Sequence, residues 1–199
     1  MTDRPPLRMP REYAKGQYIG TPDPWGFVTS GYERRKYDEI LAAIGDGHRN
    51  ALEMGCSVGV FTHRLAAGCD RLLAVDVSET ALDAARRRCS DLARVEFRQI
   101  LFADQLPDDR FDLVVLAEAG YYWSLPDLDL FLRWLRRTLT PDGHFVLVHW
   151  TGGTDYPLTG AEVHDHVAAR THGTLRPIHK NFDDFYRLDV FAGRARPIA

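Results

Sequence analysis

A chain of 199 residues, 45% of them hydrophobic, is long enough for one domain and apolar enough for a substantial core. Its formal net charge of −3 argues against a general nucleic-acid binder, and no apolar run approaches the ~20 residues that cross a bilayer. The opening "MTDRPPLRMPREY" is basic and proline-rich without an apolar block, unlike a secretion signal. Cys56, Cys69 and Cys89 lack metal-ligand spacing, so free thiols in a reducing cytoplasm are expected.

Residues 1 to 28 show little periodicity and read as an irregular arm. Ser30 and Glu33 then form a capping-box pattern, and Tyr37, Ile40, Leu41 and Ile44 recur at helical spacing, which predicts a helix from about Gly31 to Ile44. Alternation follows. "NALEM" reads as a strand, Val60 to Ala67 as a helix, "RLLAV" as a strand, and Ser78 caps a helix to about Cys89. "RVEFRQ" is a third strand, and the continuously apolar "FDLVVLA" a fourth, as for a strand covered on both faces. Ser124 and Pro126 open a helix with Leu128, Phe131, Leu132, Leu135 and Leu139 on one face, and "PDG" turns into the strand "HFVLVHW". Thr159 and Glu162 start a helix to about Ala169, and two last strands, about Leu175 to His179 and Phe185 to Phe191, flank the turn-like "NFDD". This order predicts an α/β fold, a doubly wound, mostly parallel seven-stranded sheet with an antiparallel hairpin at one edge. The whole chain, 1 to 199, reads as one domain, with residues 1 to 45 an arm and helix capping the ligand site.

In such a sheet ligands bind at the carboxyl ends of the strands. The first strand ends at Gly55 and the second at Asp76, 21 residues on, the spacing expected of an acidic residue that grips ribose hydroxyls. The turn "GCSVG" is not the dinucleotide G-x-G-x-x-G, because Cys56 and Ser57 stand where its second glycine would be, and the carboxylate of Glu53 lies just upstream. A ligand with ribose, a positive charge and no phosphate fits better.

These residues resemble a known family. "LEMGCSVGVFT" followed by "LLAVDVS", "FDLVVLAEAGYYW" and "LTPDGHFVLVHW" are similar to the motifs of class I S-adenosylmethionine-dependent methyltransferases over about residues 50 to 150. Within that class, "DPWGFVTSGYERRKY", "LAEAGYY" and "HW" with "DYPLTGAEVH" resemble the nodulation N-methyltransferase (NodS-like) group, whose characterised members methylate the free amine of a deacetylated chito-oligosaccharide. The resemblance implies a Rossmann-like methyltransferase fold with S-adenosyl-L-methionine as cofactor and S-adenosyl-L-homocysteine as its product. Glu53 would hold the loop or lie near the sulfonium. Gly55, Cys56 and Gly59 would let the methionine part lie on the backbone, and Asp76 with Val77 would take the ribose. The class usually ends its third strand with an acidic residue at adenine. Here that place falls on Leu101 or Phe102, with Asp104 two or three residues late, so apolar and backbone contacts to adenine are expected. Trp25, Tyr32 and Lys36 would close over the methionine end, with Lys36 pairing its carboxylate or remaining a solvated helix lysine.

Trp25, Tyr32, Tyr121, Tyr122, Trp123, Trp150 and Tyr156 are numerous aromatics in the arm and at predicted strand ends, suited to walling a cofactor and a sugar-like acceptor or to packing a lid. His149 ends the fifth strand, where it would orient or deprotonate the acceptor or be a structural histidine. His164 and His166 point apart at their spacing, and no metal site is expected. Methyl transfer needs a neutral nucleophile in line with the sulfonium. An amine of pKa about 8 is about a tenth neutral at neutral pH, costing roughly 1.4 kcal/mol, whereas a phenol would cost about 4 kcal/mol and want a base. N-methylation by positioning is therefore the preferred reading, with Glu118, Tyr122 and His149 as orienting groups and a small molecule, an amino sugar among the options, as acceptor. An O-methyltransferase, a non-catalytic S-adenosylmethionine-binding partner and, behind these, a nicotinamide dehydrogenase compete with it. No nucleic-acid or membrane partner is expected, the location would be cytoplasmic, and the chain would be a monomer or homodimer.

Overall fold

The blocks "ALEM" and "LLAVD" become strands buried along their whole length, "FDLVVLA" and "HFVLVHW" become strands buried through most of theirs, and helices whose caps are written in the sequence cover them. The computed structural model describes residues 16–21, 23–101 and 105–193. Its strands are β1 (Ala51–Met54), β2 (Leu72–Asp76), β3 (Val95–Gln99), β4 (Phe111–Ala117), β5 (Leu139–Trp150), β6 (Leu175–Phe182) and β7 (Tyr186–Gly193). They form one sheet in the order β3-β2-β1-β4-β5-β7-β6. The first five run parallel, and β7 lies antiparallel between β5 and β6. The expected sheet with its edge hairpin is therefore present.

Helices α1 (Gly31–Ile44), α2 (Val60–Leu65), α3 (Glu79–Arg88), α4 (Leu125–Thr138) and α5 (Gly160–Thr171) cover the two faces. Tyr37, Ile40 and Ile44 of α1 and Phe61 and Leu65 of α2 pack with Ala51, Leu113, Val115, Val146 and Val148 on one face. Leu128, Phe131, Leu132 and Leu135 of α4 and Val163 and Val167 of α5 pack with Leu52, Val114, Leu116, Phe145 and Leu147 on the other. Alternate residues of each central strand thus serve opposite layers, and each fully buried aliphatic or aromatic side chain contributes roughly 1.5–3 kcal/mol. Ser30, Ser78, Ser124 and Thr159 cap their helices as the sequence predicts, each accepting a backbone N–H three residues on.

Two boundaries differ. Helical spacing predicts Leu139 on the α4 face, but its extended backbone (φ −67°, ψ 130°) ends the helix and begins β5. "PDG" lies inside that strand, where Asp142 adopts φ 62° and the pairing jumps from Phe111↔Leu139 to Leu113↔His144. A bulge can absorb a turn-like sequence without ending the ladder. Phe182, turn-like by sequence, is the last residue of β6 and pairs Arg187. Among the described residues no helix is long and apolar enough to cross a membrane.

Candidate functional site

Strand order reverses between β1 and β4, which leaves a crevice at their carboxyl ends. A cavity of about 480 Å³ lies there, bounded by residues that end or follow each of the five parallel strands and by the arm before α1. That volume suits a small-molecule site.

The β1 turn enters this cavity through Gly55, whose φ is +83°, and a Cβ there would lie 2.7 Å from the Ala117 carbonyl oxygen. Only glycine meets both conditions without strain. Ser57 follows with φ 48°, and its N–H donates to Asp76 Oδ2 at 2.9 Å, while the Ser78 N–H donates to Asp76 Oδ1 at 2.9 Å. Each oxygen of Asp76, at the cavity wall, therefore keeps accepting capacity for a ligand hydroxyl. Burial raises the Asp76 pKa, and the backbone N–H groups of Ser78, Ser57 and Val77 work against that rise. From the arm, the Tyr18 hydroxyl reaches Ser57 Oγ at 2.7 Å and ties the segment onto the glycine turn.

At the other end, beyond β4 and β5, sits a charged knot. Glu118, in the left-handed region at φ 52°, receives Lys36 Nζ on Oε1 at 2.7 Å. Its Oε2 accepts the Tyr121 hydroxyl and the Trp150 N–H, both at 2.8 Å. Lys36 also donates to Glu33 Oε1 at 3.0 Å. Burial pulls the lysine pKa down, but Glu118 and Glu33 outweigh it and hold the ammonium above its usual value. Trp25, Tyr32, Tyr121, Tyr122, Trp123, Trp150 and Tyr156 all line the cavity. Tyr122 and Tyr156 pack at 4.5 Å between ring centroids, and Tyr32 meets Trp150 edge-on at 6.1 Å.

A family model described as Nodulation protein S (NodS) matches residues 16–150, more than half of the chain. The chain belongs to the NodS family. Nodulation protein S of Rhizobium tropici is 34% identical over 131 residues, 64% of this chain and 55% of that protein. Its counterpart in Bradyrhizobium diazoefficiens is 33% identical over 127 residues, 62% of this chain and 61% of the relative. The chain thus spans little more than half the length of the curated relatives it matches. The crystal structure of N-methyltransferase NodS from Bradyrhizobium japonicum WM9, in complex with S-adenosyl-L-homocysteine, superposes with TM-score 0.79 at 21% identity, covering 92% of this chain and 98% of that one. That likeness is one of fold.

Of the residues singled out in this NodS-family sequence, the cavity brings together Trp25, Tyr32, Gly55, Asp76, Val77, Leu101, Glu118 and Tyr122. Phe102 and Asp104 lie outside the described residues. Lys36, Glu53, Cys56, Gly59 and His149 do not line the cavity. Glu53 alternates with the cavity residue Met54, so it turns the other way into the protein, where burial lifts its carboxyl to about 8, Asp76 adds to the rise and the Thr62 hydroxyl opposes it. Cys56 packs with Ala74 and Leu82, and burial raises its thiol well above the usual range. Gly59, at φ +78°, caps α2, and a Cβ there would lie 2.9 Å from Ala85, so its role is close packing of α2 on α3. Lys36, only 2% exposed, is neither solvated nor open to a ligand carboxylate, because the two glutamates already hold it.

His149 is fully buried on the α5 side. Its Nε2 accepts the Gly120 N–H at 2.9 Å, so the proton of the neutral ring is on Nδ1, which faces His164 Nε2 at 3.3 Å. His164 in turn places Nδ1 2.7 Å from Asp189 Oδ2. Burial, then His164 and Lys36, keep His149 well below its usual pKa, so it holds the Gly120–Tyr122 turn instead of meeting an acceptor. His166 bonds Asp129 on α4, so the two helix histidines do point apart. Tyr18, Ser57 and Glu33 line the cavity although no sequence motif marks them for it. Glu33 carries a sequence signal, but for capping: Ser30 does cap its N–H, while its side chain turns inward to Lys36.

Proposed function

We propose that this chain is an S-adenosylmethionine-dependent N-methyltransferase acting on an amine of a small, sugar-like acceptor. The observation that carries the reading is Asp76. A carboxylate at the end of β2, braced by two backbone N–H groups and set on a cavity beside a glycine that only bare backbone can fill, is the receptor a ribose diol needs. No glycine follows Gly55 two residues on to bring helix-end amides to a pyrophosphate; Ser57 stands there and bonds Tyr18 and Asp76. Membership of the NodS family supports the same cofactor and reaction. So does the superposed NodS crystal structure, that of an N-methyltransferase in complex with S-adenosyl-L-homocysteine.

When bound, S-adenosylmethionine supplies an activated methyl group on a positively charged sulfur. The residues present fit it. Asp76 and Val77 would hold the ribose, Leu101 and Ile100 would offer apolar contact to the adenine, and the Gly55 turn would take the methionine part. Residues 16–45 would act as the cap, with Tyr18 latched to Ser57 and Trp25 and Tyr32 over the opening. The aromatic wall would exclude water and stack on a carbohydrate face. Glu118 has three donors on its two oxygens, so its part is to fix Tyr121 and the β5 end, with Lys36 as its counter-ion, and no base need be found among these groups for an amine.

Calorimetry with S-adenosylhomocysteine and NAD, followed by assay of a chito-oligosaccharide bearing one free amine against its hydroxyl analogue, tests the reading. Binding of the first ligand and methylation of the amine are expected. Uptake of NAD instead, or transfer to the hydroxyl alone, would overturn it.

A further inference from the structure

Resting on that reading, we infer that Glu33 is the group that receives the acceptor nitrogen. Its side chain is 9% exposed and lines the cavity, its Oε1 is bound to Lys36, and its Oε2 makes no hydrogen bond among the described residues. Tyr37, one turn along α1, is the neighbouring hydroxyl; burial, then the charge of Glu33 and a hydrogen-bonding interaction with that carboxylate, raise its pKa, but the phenol lies outside hydrogen-bond geometry with Oε2. Buried carboxylate oxygens are ordinarily satisfied, and one left without a partner on a residue that lines a cavity is matched to a donor that arrives with the ligand. Three residues after the cap Ser30, Glu33 closes no capping box, because the Ser30 N–H already donates to the Gly26 carbonyl at 3.0 Å, and its side chain turns inward to Lys36.

Placement assigns the donor to the acceptor. Asp76 ends β2, where a ribose would sit, whereas Glu33 shares Lys36 with Glu118, which follows β4 and bonds the Trp150 N–H at the end of β5. Tyr32, the adjoining residue of α1, packs on Trp150, Phe185 and Tyr186 of the same side, and its buried hydroxyl also lacks a partner among the described residues. Charge selects the kind of donor. Two carboxylates share one ammonium there, leaving that wall one negative charge in excess.

In the transfer, the nitrogen lone pair forms the new N–C bond as the S–C bond breaks, and the positive charge moves from sulfur to nitrogen. A fixed carboxylate beside the nitrogen stabilises the transition state more than the neutral amine, which is the differential binding that speeds the step. The proton then lost by the methylated ammonium goes to water. A hydroxyl acceptor that gives up its proton during the attack would make no such cation.

Glu33→Gln keeps the shape and leaves Lys36 on Glu118. It is expected to lower kcat/KM for the amino-oligosaccharide about 10- to 150-fold, the worth of a charge-assisted hydrogen bond, with S-adenosylhomocysteine affinity within about twofold of the parent. Glu33→Asp, which restores the charge one methylene back, should recover part of the loss, and melting curves with and without S-adenosylhomocysteine serve as the folding control. Calorimetric titration of the amine into the S-adenosylhomocysteine-loaded protein should show the same loss. Four outcomes overturn the inference while leaving the cofactor reading intact: turnover by the Gln variant within threefold of the parent, a tenfold fall in S-adenosylhomocysteine affinity with amine kinetics unchanged, no recovery with Asp in a folded protein, or no heat from the amine on the loaded parent. Absence of S-adenosylhomocysteine binding to the parent sinks the cofactor reading itself.

Discussion

Replacing Glu53 by glutamine tests whether a carboxyl locked beneath the β1 turn is neutral in the fold. Burial lifts it from 4.5 to about 8, with Asp76 adding to the rise. An acid whose folded pKa exceeds its unfolded one is best accommodated below the lower value. Stability is then lost as pH climbs between the two, because the unfolded chain releases a proton that the folded chain keeps. At 1.36 kcal/mol per pH unit, Glu53 alone removes about 2.7 kcal/mol between pH 5.5 and 7.5, and glutamine removes none of it. The glutamine amide brings its own buried donors, so the absolute offset is not the readout; its change with pH is. Urea titrations of both proteins across that range should show the variant gaining about 2.7 kcal/mol on the parent, or roughly 5–10 °C by melting. A gap that stays flat with pH would refute the reasoning, since it would mean that Glu53 is ionised and solvated in the folded state.

Other expectations follow from the same geometry. Asp76→Asn should weaken S-adenosylhomocysteine binding about 100-fold by calorimetry, because the amide brings a donor where the ribose hydroxyls need an acceptor, with the melting point as control. Gly55→Ala and Gly59→Ala should both destabilise by about 1–3 kcal/mol, since both positions have positive φ and meet backbone or Ala85 too closely. Only the first, which lines the cavity, should also cost ligand affinity in the folded fraction. Tyr18→Phe removes the hydrogen bond to Ser57 and should lower S-adenosylhomocysteine affinity about fivefold with a small change in melting, and unchanged affinity would argue against a latch.

What the sequence made legible is what local physics decides. The apolar block of β4, the caps at Ser78 and Ser124 and the acidic residue 21 positions after Gly55 all act within a few residues or through a fixed strand–helix–strand length. All seven aromatics reached the cavity because strand ends and the arm converge there in this topology. What stayed hidden depends on side-chain direction. His149 and Trp150 are neighbours at one strand end, but strand alternation sends His149 to His164 and Trp150 to the cavity. Glu53 and Met54 divide in the same way. The bond from Tyr18 to Ser57 spans 39 residues, and no local pattern encodes it. Glu33 was concealed by a motif that half applies, its backbone obeying the capping rule while its side chain serves the cavity.

The buried histidines and Glu53 pull the pH profile of stability in opposite directions, and this opposition gives a last prediction. His149 and His164 both lie below the ordinary 6.5 because burial disfavours their cations. A base held neutral in the fold but free to take a proton when unfolded loses stability as pH falls below 6.5, the reverse of Glu53, whose contribution falls as pH rises. Between pH 5 and 6.5 Glu53 offsets one of the two histidines, so the parent should show only a moderate rise with pH there. Glu53→Gln should steepen that rise. His149→Gln, which keeps an acceptor for the Gly120 N–H, leaves His164 against Glu53 and should flatten the profile. The double variant should return toward the parent slope, since the side chains lie on opposite faces of the sheet and share no partner. If His149→Gln instead left the slope of the parent unchanged, the imidazole would have to be protonated within the fold. The chain of bonds from Asp189 through His164 to the Gly120 turn would then carry a different set of protons from the one its geometry requires.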